Sequence, residues 1–300
     1  MQHLSRFQTT QGHRLKAVID IITPLVQEAT LYVREWGLKI QGKTETKCGE
    51  LNVVYRMPPC SSDSLVVTKE HETGLDLKIL GLYLRPVTLG DVIAIESDNK
   101  NVLFRHWNET NSNEYPIRGL LPTPEAHRDL SYDMDFRYVT VNAAVLHKIL
   151  KSHSHLGKTV FISVPRPGLL VVNTDKGLAI SSMPAEIDCK WENEAYGRSS
   201  FDLGLIRGIT KAYSVSQSLR LGFHTDGSLQ FSYAVGSKAR LDFDVKCGTD
   251  NPPDLPDRAI VSCTVCRGEV DPTQTFVPDA NDPTLIKHKD CRNVKRLKSI

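Results

Sequence analysis

With 300 residues, 40% of them hydrophobic and 24% charged, the chain has the composition of a folded globular protein with room for two ordinary domains. Its 37 Lys and Arg against 35 Asp and Glu leave a formal charge of +2, which excludes a strong bulk field, so contact with a polyanion requires charge segregated onto one face. No apolar run approaches the roughly 18–20 residues of a membrane span, and the first residues lack the apolar core of a secretory signal. The seven cysteines are an odd number with three near the C-terminus, which points to a reducing, intracellular compartment rather than a disulfide framework.

An amphipathic helix followed by strand, tight turn and strand is predicted four times. In the first copy Leu15, Val18, Ile19 and Ile22 recur at helical spacing and Pro24 limits the helix; residues 29–34 and 38–41 then alternate around Gly37 as a hairpin. The second copy reads as a helix over 75–84, a strand over 91–96, a turn at Asp98-Asn99-Lys100-Asn101 and a strand over 102–106, with Pro86 marking the helix end. In the third, Val145, Ile149 and Leu150 supply the stripe, and strands at 159–164 and 169–173 flank Pro167-Gly168. In the fourth, Leu205, Ile206, Ile209 and Ala212 supply it, and strands at 219–223 and 228–233 flank Asp226-Gly227. The turns recur at intervals of roughly 60–70 residues, too long for a solenoid repeat and suited to half a domain. The natural reading is two similar domains, 1–114 and 136–248, each a duplication. A Pro-containing connector at 115–135 joins them, and a Pro-rich linker at 249–258 leads to a cysteine-containing tail at 259–300.

Each predicted helix carries cations opposite its apolar stripe: Arg14 and Lys16; Lys78; His147, Lys148 and Lys151; Arg207 and Lys211. Asp20, Asp76 and Asp202 are the acids near them. Surface helices often look like this, but four equivalent helices set side by side would form one positive stripe suited to a phosphate backbone. With no stacking motif among them, such contacts would track backbone without reading bases.

The chain resembles the DNA sliding clamps of the proliferating cell nuclear antigen family and its viral relatives over roughly residues 4–248. The resemblance rests on Gln11-Gly12 leading into Leu15-Lys16, on Lys78-Ile79-Leu80, on Lys148-Ile149 with Lys151 before Ser154-His155-Leu156-Gly157, and on Thr210-Lys211-Ala212. It implies an α+β clamp fold in which Lys16, Lys78, Lys148, Lys151 and Lys211 line a central hole around double-stranded DNA. Arg14 and Arg207 join them as neighbouring cations. It further implies a non-enzymatic homotrimeric ring that holds a DNA polymerase and other clamp-binding proteins on their template, at a nuclear or viral replication site. Short peptide motifs of those partners would dock beneath the connector, here at Leu120, Leu121 and Pro122, and against the last strand of the second domain, at Phe243 and Val245. Two features depart from the family: the near-neutral total charge, and Pro116 in the segment 111–118 expected to pair with the second domain's edge near 177–182 of a neighbour. They keep open a monomeric clamp-fold processivity or late-transcription factor.

Beyond the clamp region, Cys263 and Cys266 are followed by His288 and Cys291 in the pattern C-x2-C-x21-H-x2-C. Each pair suits one tight turn, and the long gap suits a loop or hairpin that brings the pairs together around tetrahedral, structural zinc; the spacing resembles one half of a LIM-type module. Such a short tail, poor in large apolar residues, would draw its folding energy from the metal. Its cations Lys287, Lys289, Arg292, Lys295, Arg296 and Lys298 make it a candidate contact for DNA or an acidic partner. An enzyme reading finds no Gly-rich phosphate loop, nucleophile elbow, His-Glu-x-x-His or zinc-deaminase pattern, and His153 and His155 read as a solvated loop pair.

Overall fold

The computed structural model describes residues 5–246 except 47–48, 71, 99, 123–135, 167, 175–178, 188–198 and 225, and in the tail 276–278 and 286–288. The first half runs β1 (Ser5–Thr9), α1 (Gly12–Ile22), β2 (Glu28–Arg34), β3 (Gly37–Thr46), β4 (Gly49–Met57), β5 (Ser64–Val67), β6 (Glu72–Asp76), α2 (Leu77–Leu84), β7 (Val92–Ser97), β8 (Asn101–Trp107) and β9 (Ser112–Arg118). The second half repeats the order with β10 (Phe136–Asn142), α3 (Ala143–His153), β11 (Thr159–Arg166), β12 (Leu169–Thr174), β13 (Ile180–Pro184), β14 (Glu186–Ile187), β15 (Ser200–Asp202), α4 (Leu203–Thr210), a 3-10 turn (Lys211–Ser214), β16 (Ser218–His224), β17 (Leu229–Val235) and β18 (Ala239–Val245). The fold class is α+β with antiparallel sheets.

The repeated unit is therefore larger than the predicted helix and hairpin: a strand precedes each helix and a third strand follows each hairpin. The helix expected over 75–84 starts at Leu77, because Leu75 and Asp76 end β6. Asp76 is the cap, its Oδ1 accepting from the backbone N–H groups of Lys78 (2.8 Å) and Ile79 (3.2 Å). Asn142 and Asp202 do the same for α3 and α4 through Val145 and Leu205. A short acceptor side chain at the end of each strand satisfies first-turn donors and so fixes where strand becomes helix. Asp76 and Asp202, read from the sequence as acids near the cation face, are these caps.

Three sheets carry the core. One orders β5-β1-β7-β8-β9, another β13-β12-β11-β15, and a nine-stranded sheet, β14-β10-β16-β17-β18-β4-β3-β2-β6, crosses from one domain to the other. The join is the β4–β18 pair, in register from Arg240 opposite Arg56 to Val245 opposite Leu51. One continuous apolar core includes residues of all four helices and both domains, among them Leu15, Ile19, Leu80, Leu84, Leu146, Ile149, Leu150, Ile206 and Ile209. The helices pack in the order α2-α1-α4-α3, so their outer faces form one surface.

The domain limits shift slightly. Residues 115–118, assigned to the connector, complete β9, so the connector begins at Gly119. Its first residues are stitched to β6: Gly74 and Leu120 exchange backbone hydrogen bonds at 3.2 and 2.9 Å. A Cβ at Gly74 would lie 2.5 Å from the Leu121 carbonyl oxygen, so only glycine admits the connector this closely. The linker at 249–258 and all tail residues except two strands lie outside the described residues. Those strands, β19 (Phe276–Pro278) and β20 (Ile286–His288), pair antiparallel, with His288 opposite Phe276.

Candidate nucleic-acid interface

The seven predicted cations divide into two kinds. Lys78 on α2, Lys148 and Lys151 on α3, Arg207 on α4 and Lys211 just beyond it are exposed. Lys16 and Arg14 are half-buried and engaged by the fold, which corrects the expectation of seven outward cations. The Lys16 ammonium donates to the carbonyls of Arg85 (2.6 Å) and Val87 (3.0 Å), just past the C-terminal end of α2, where carbonyls lack helical partners and favour a cation. Arg14 donates to the Gln11 Oε1 at 2.7 Å and lies against Gly236 in the β17–β18 turn; a Cβ there would lie 1.9 Å from its Nη1. With φ +68° at Gly236, both the turn and the close approach call for glycine.

Lys151, Arg207 and Lys211 converge where α3 meets α4, while Lys78 stands apart on α2. His147 bridges the two helices, its Nδ1 3.0 Å from Thr210 Oγ1 and its ring 4.8 Å from that of Tyr213. Burial, then the nearby charges of Lys151, Lys211 and Arg207, push its pKa below the ordinary histidine value. Tyr213, which sequence reasoning missed, stands 40% exposed among these cations. Its signal was present in the sequence as an aromatic two residues beyond Lys211. Such a surface suits phosphate groups, and among the described residues it offers no set of paired amides or carboxylates for reading base edges.

His153 is the other correction. It closes α3 in a buried position, with Nε2 2.9 Å from Ser181 Oγ on β13, and burial pushes its pKa down. The spacing Ile149, Leu150, His153 puts it on the apolar stripe, so the helix carries it inward; His155, past the helix end, is exposed as expected.

Of the predicted docking residues, Leu120 (39%), Leu121 (92%) and Pro122 are exposed at the connector. Phe243 (0%) and Val245 (2%) are withdrawn from that surface. Both pack inward from β18, Phe243 meeting the Tyr233 ring edge-on at a centroid distance of 6.1 Å. The alternation of the strand turns both toward the shared core. Of the four zinc-ligand candidates, only the backbone of His288 lies in the described residues; Cys263, Cys266 and Cys291 lie outside them. Among the described residues no helix is long and apolar enough to cross a membrane.

The overall fold is matched by a solved structure. The chain superposes on a subunit of the PCNA2–PCNA3 complex from Sulfolobus tokodaii with a TM-score of 0.66, at 16% sequence identity, covering 81% of this chain and 98% of that one. The chain has the PCNA-like clamp fold. No protein-family model matches the clamp chain, and no curated protein matches its sequence.

Proposed function

We propose that this clamp-fold chain is a sliding-clamp subunit: a non-enzymatic protein that encircles duplex DNA without reading its sequence and tethers a DNA polymerase and other replication proteins, acting at intracellular sites of replication. The observation that carries the reading is the continuous α2-α1-α4-α3 surface with its exposed cations on three helices and the adjoining turn. Exposed Leu120, Leu121 and Pro122 would receive the partners' peptide motifs.

Ring closure to a homotrimer would join two strands that end their sheets, β9 and β13. Hydrogen-bonded pairs alternate along each hairpin. The bonds Asn108 N–H to Asn111 O and Gly119 N–H to Lys100 O therefore turn residues 113, 115 and 117 toward β8. Ser112, Glu114, Pro116 and Arg118 then face the open edge with four carbonyls and three N–H groups. The bonds from Ala185 N–H to Gly168 O and from Thr174 N–H to Ala179 O similarly leave Ile180, Ser182 and Pro184 outward, with three carbonyls and two N–H groups. Each proline removes one outward donor and leaves its own sheet intact. Exposed apolar side chains accompany both edges: Ile79 and Leu82 on α2 beside β9, and Leu156 and Ile180 near β13.

The same two prolines favour the second reading, a monomer with blunted edges that grips DNA as a processivity or late-transcription factor. Light scattering on the purified chain, together with retention on closed circular and linear DNA, separates them. The clamp reading expects three times the monomer mass and retention on circles with loss from linear ends. A monomer that binds both DNAs alike would sink the ring.

For the tail we propose a structural zinc held by Cys263, Cys266, His288 and Cys291, supported by the ligand spacing and by the antiparallel β19–β20 pair, whose second strand ends at His288. Freshly purified protein should carry one equivalent of zinc, and Cys266→Ser should lose it while the thermal transition of the clamp domains stays in place. Metal-free wild-type protein, or clamp domains that melt early in the variant, would refute this assignment.

A further inference from the structure

His147 is unlike the other groups on the helix face, because its charge is conditional. Thr210 Oγ1 donates to the Arg207 carbonyl at 3.1 Å, so in the His147–Thr210 pair the imidazole Nδ1–H is the donor, at 3.0 Å. That bond fixes the tautomer and leaves the lone pair of the neutral ring on Nε2. The ring is also held in place by Tyr213. The charged groups acting on it are Lys151 from its own helix, Arg207 from α4 and Lys211 from the 3-10 turn, and all are positive. With the face empty, burial and these three charges keep the ring neutral at physiological pH. A phosphate seated among the three cations would cancel much of that repulsion and would itself favour a second N–H on Nε2.

We propose that His147 is a proton-linked phosphate ligand of this face, neutral when the face is empty and a cation when a nucleic-acid phosphate docks between α3 and α4. The inference rests on the DNA-binding reading above. Protonating Nε2 adds a second N–H donor and a positive charge to the ring, while the Nδ1–H bond to Thr210 is unchanged. The sign follows from linkage: the ring's pKa is higher in the complex than in the free protein, so binding takes up a proton. Affinity then rises as pH falls through the bound-state value and levels off below the free-state value.

The test uses the full chain, a short DNA duplex and constant ionic strength, with affinity measured from about pH 8 to about pH 5.5 for wild type, His147→Gln and His147→Lys. An imidazole NMR titration of wild type is run with and without the duplex. A rise of one pKa unit on binding corresponds to a gain of about tenfold in affinity across that window beyond whatever His147→Gln retains. The glutamine variant keeps a donor for Thr210, and the lysine variant should bind tightly with no such rise. DNA binding with superimposable pH profiles for wild type and His147→Gln, or an unmoved His147 titration, would overturn the inference and leave the DNA reading standing. No binding by any variant at low salt and about pH 5.5 would overturn both.

Discussion

Replacing Lys148, Lys151 and Lys211 together with alanine should lower affinity for duplex DNA on the order of tenfold or more near physiological salt, equally for every sequence. These three side chains are exposed on one surface and belong to groups that repel a proton on the neighbouring His147 or lie one helical step from such a group. Each lost phosphate contact should flatten the dependence of log affinity on log salt by about 0.9, so the triple variant should lose roughly 2.7 of slope. Lys16→Ala provides the contrast. Its ammonium serves the carbonyls after α2, so its removal should change the salt slope by less than the loss of one exposed lysine does, and act more on the stability of the α1–α2 pair. A salt titration by fluorescence anisotropy checks both. An unchanged slope in the triple variant, or a loss confined to one base sequence, would remove the helix face as the DNA contact.

The second large effect is expected at the domain join. Asp242 on β18 is fully buried and lies between Arg240 (2.7 Å) and Arg56 (3.4 Å), the latter reaching across from β4 in the first domain. Burial pushes the carboxyl pKa up, against the two guanidinium groups that favour its charged form. Both arginines are one-quarter exposed and keep partial solvation. Asp242→Ala would leave two cations facing each other across the strand pair that unites the domains. Removing one member of a buried ionic cluster costs about 3 kcal/mol or more. For a chain of this size that should lower the melting temperature by roughly 5 °C, read by calorimetry. Asp242→Asn, which keeps an acceptor oxygen for Arg240, should cost less. A shift below about 2 °C for the alanine variant would show that β4–β18 pairing stands on its backbone ladder and apolar contacts alone.

The sequence by itself determined the parts of this protein that depend on local spacing. The apolar stripes of α1, α3 and α4, the hairpins turning at Gly37, Gly168 and Asp226-Gly227, and the fourfold recurrence follow from periodicity and turn chemistry, which act within a few residues. The cations opposite those stripes were equally legible, because a helix that buries one face must expose the other. What local patterning did not reveal was set by contacts between distant segments. Short strands such as β6 and β15 have too few residues to show alternation, and they exist because β2 and β11 pair with them. The inward turn of Phe243 and Val245 depended on which face of β18 meets the core, and strand register across the domain join decides that. Lys16, Lys78 and Lys148 read alike as helix cations, yet only the tertiary packing of α1 against α2 brings Lys16 to the carbonyls after α2 and draws it off the free surface. The meeting of His147 with Thr210 and Tyr213 likewise joins residues more than sixty positions apart in the chain, a proximity created only when α3 packs against α4.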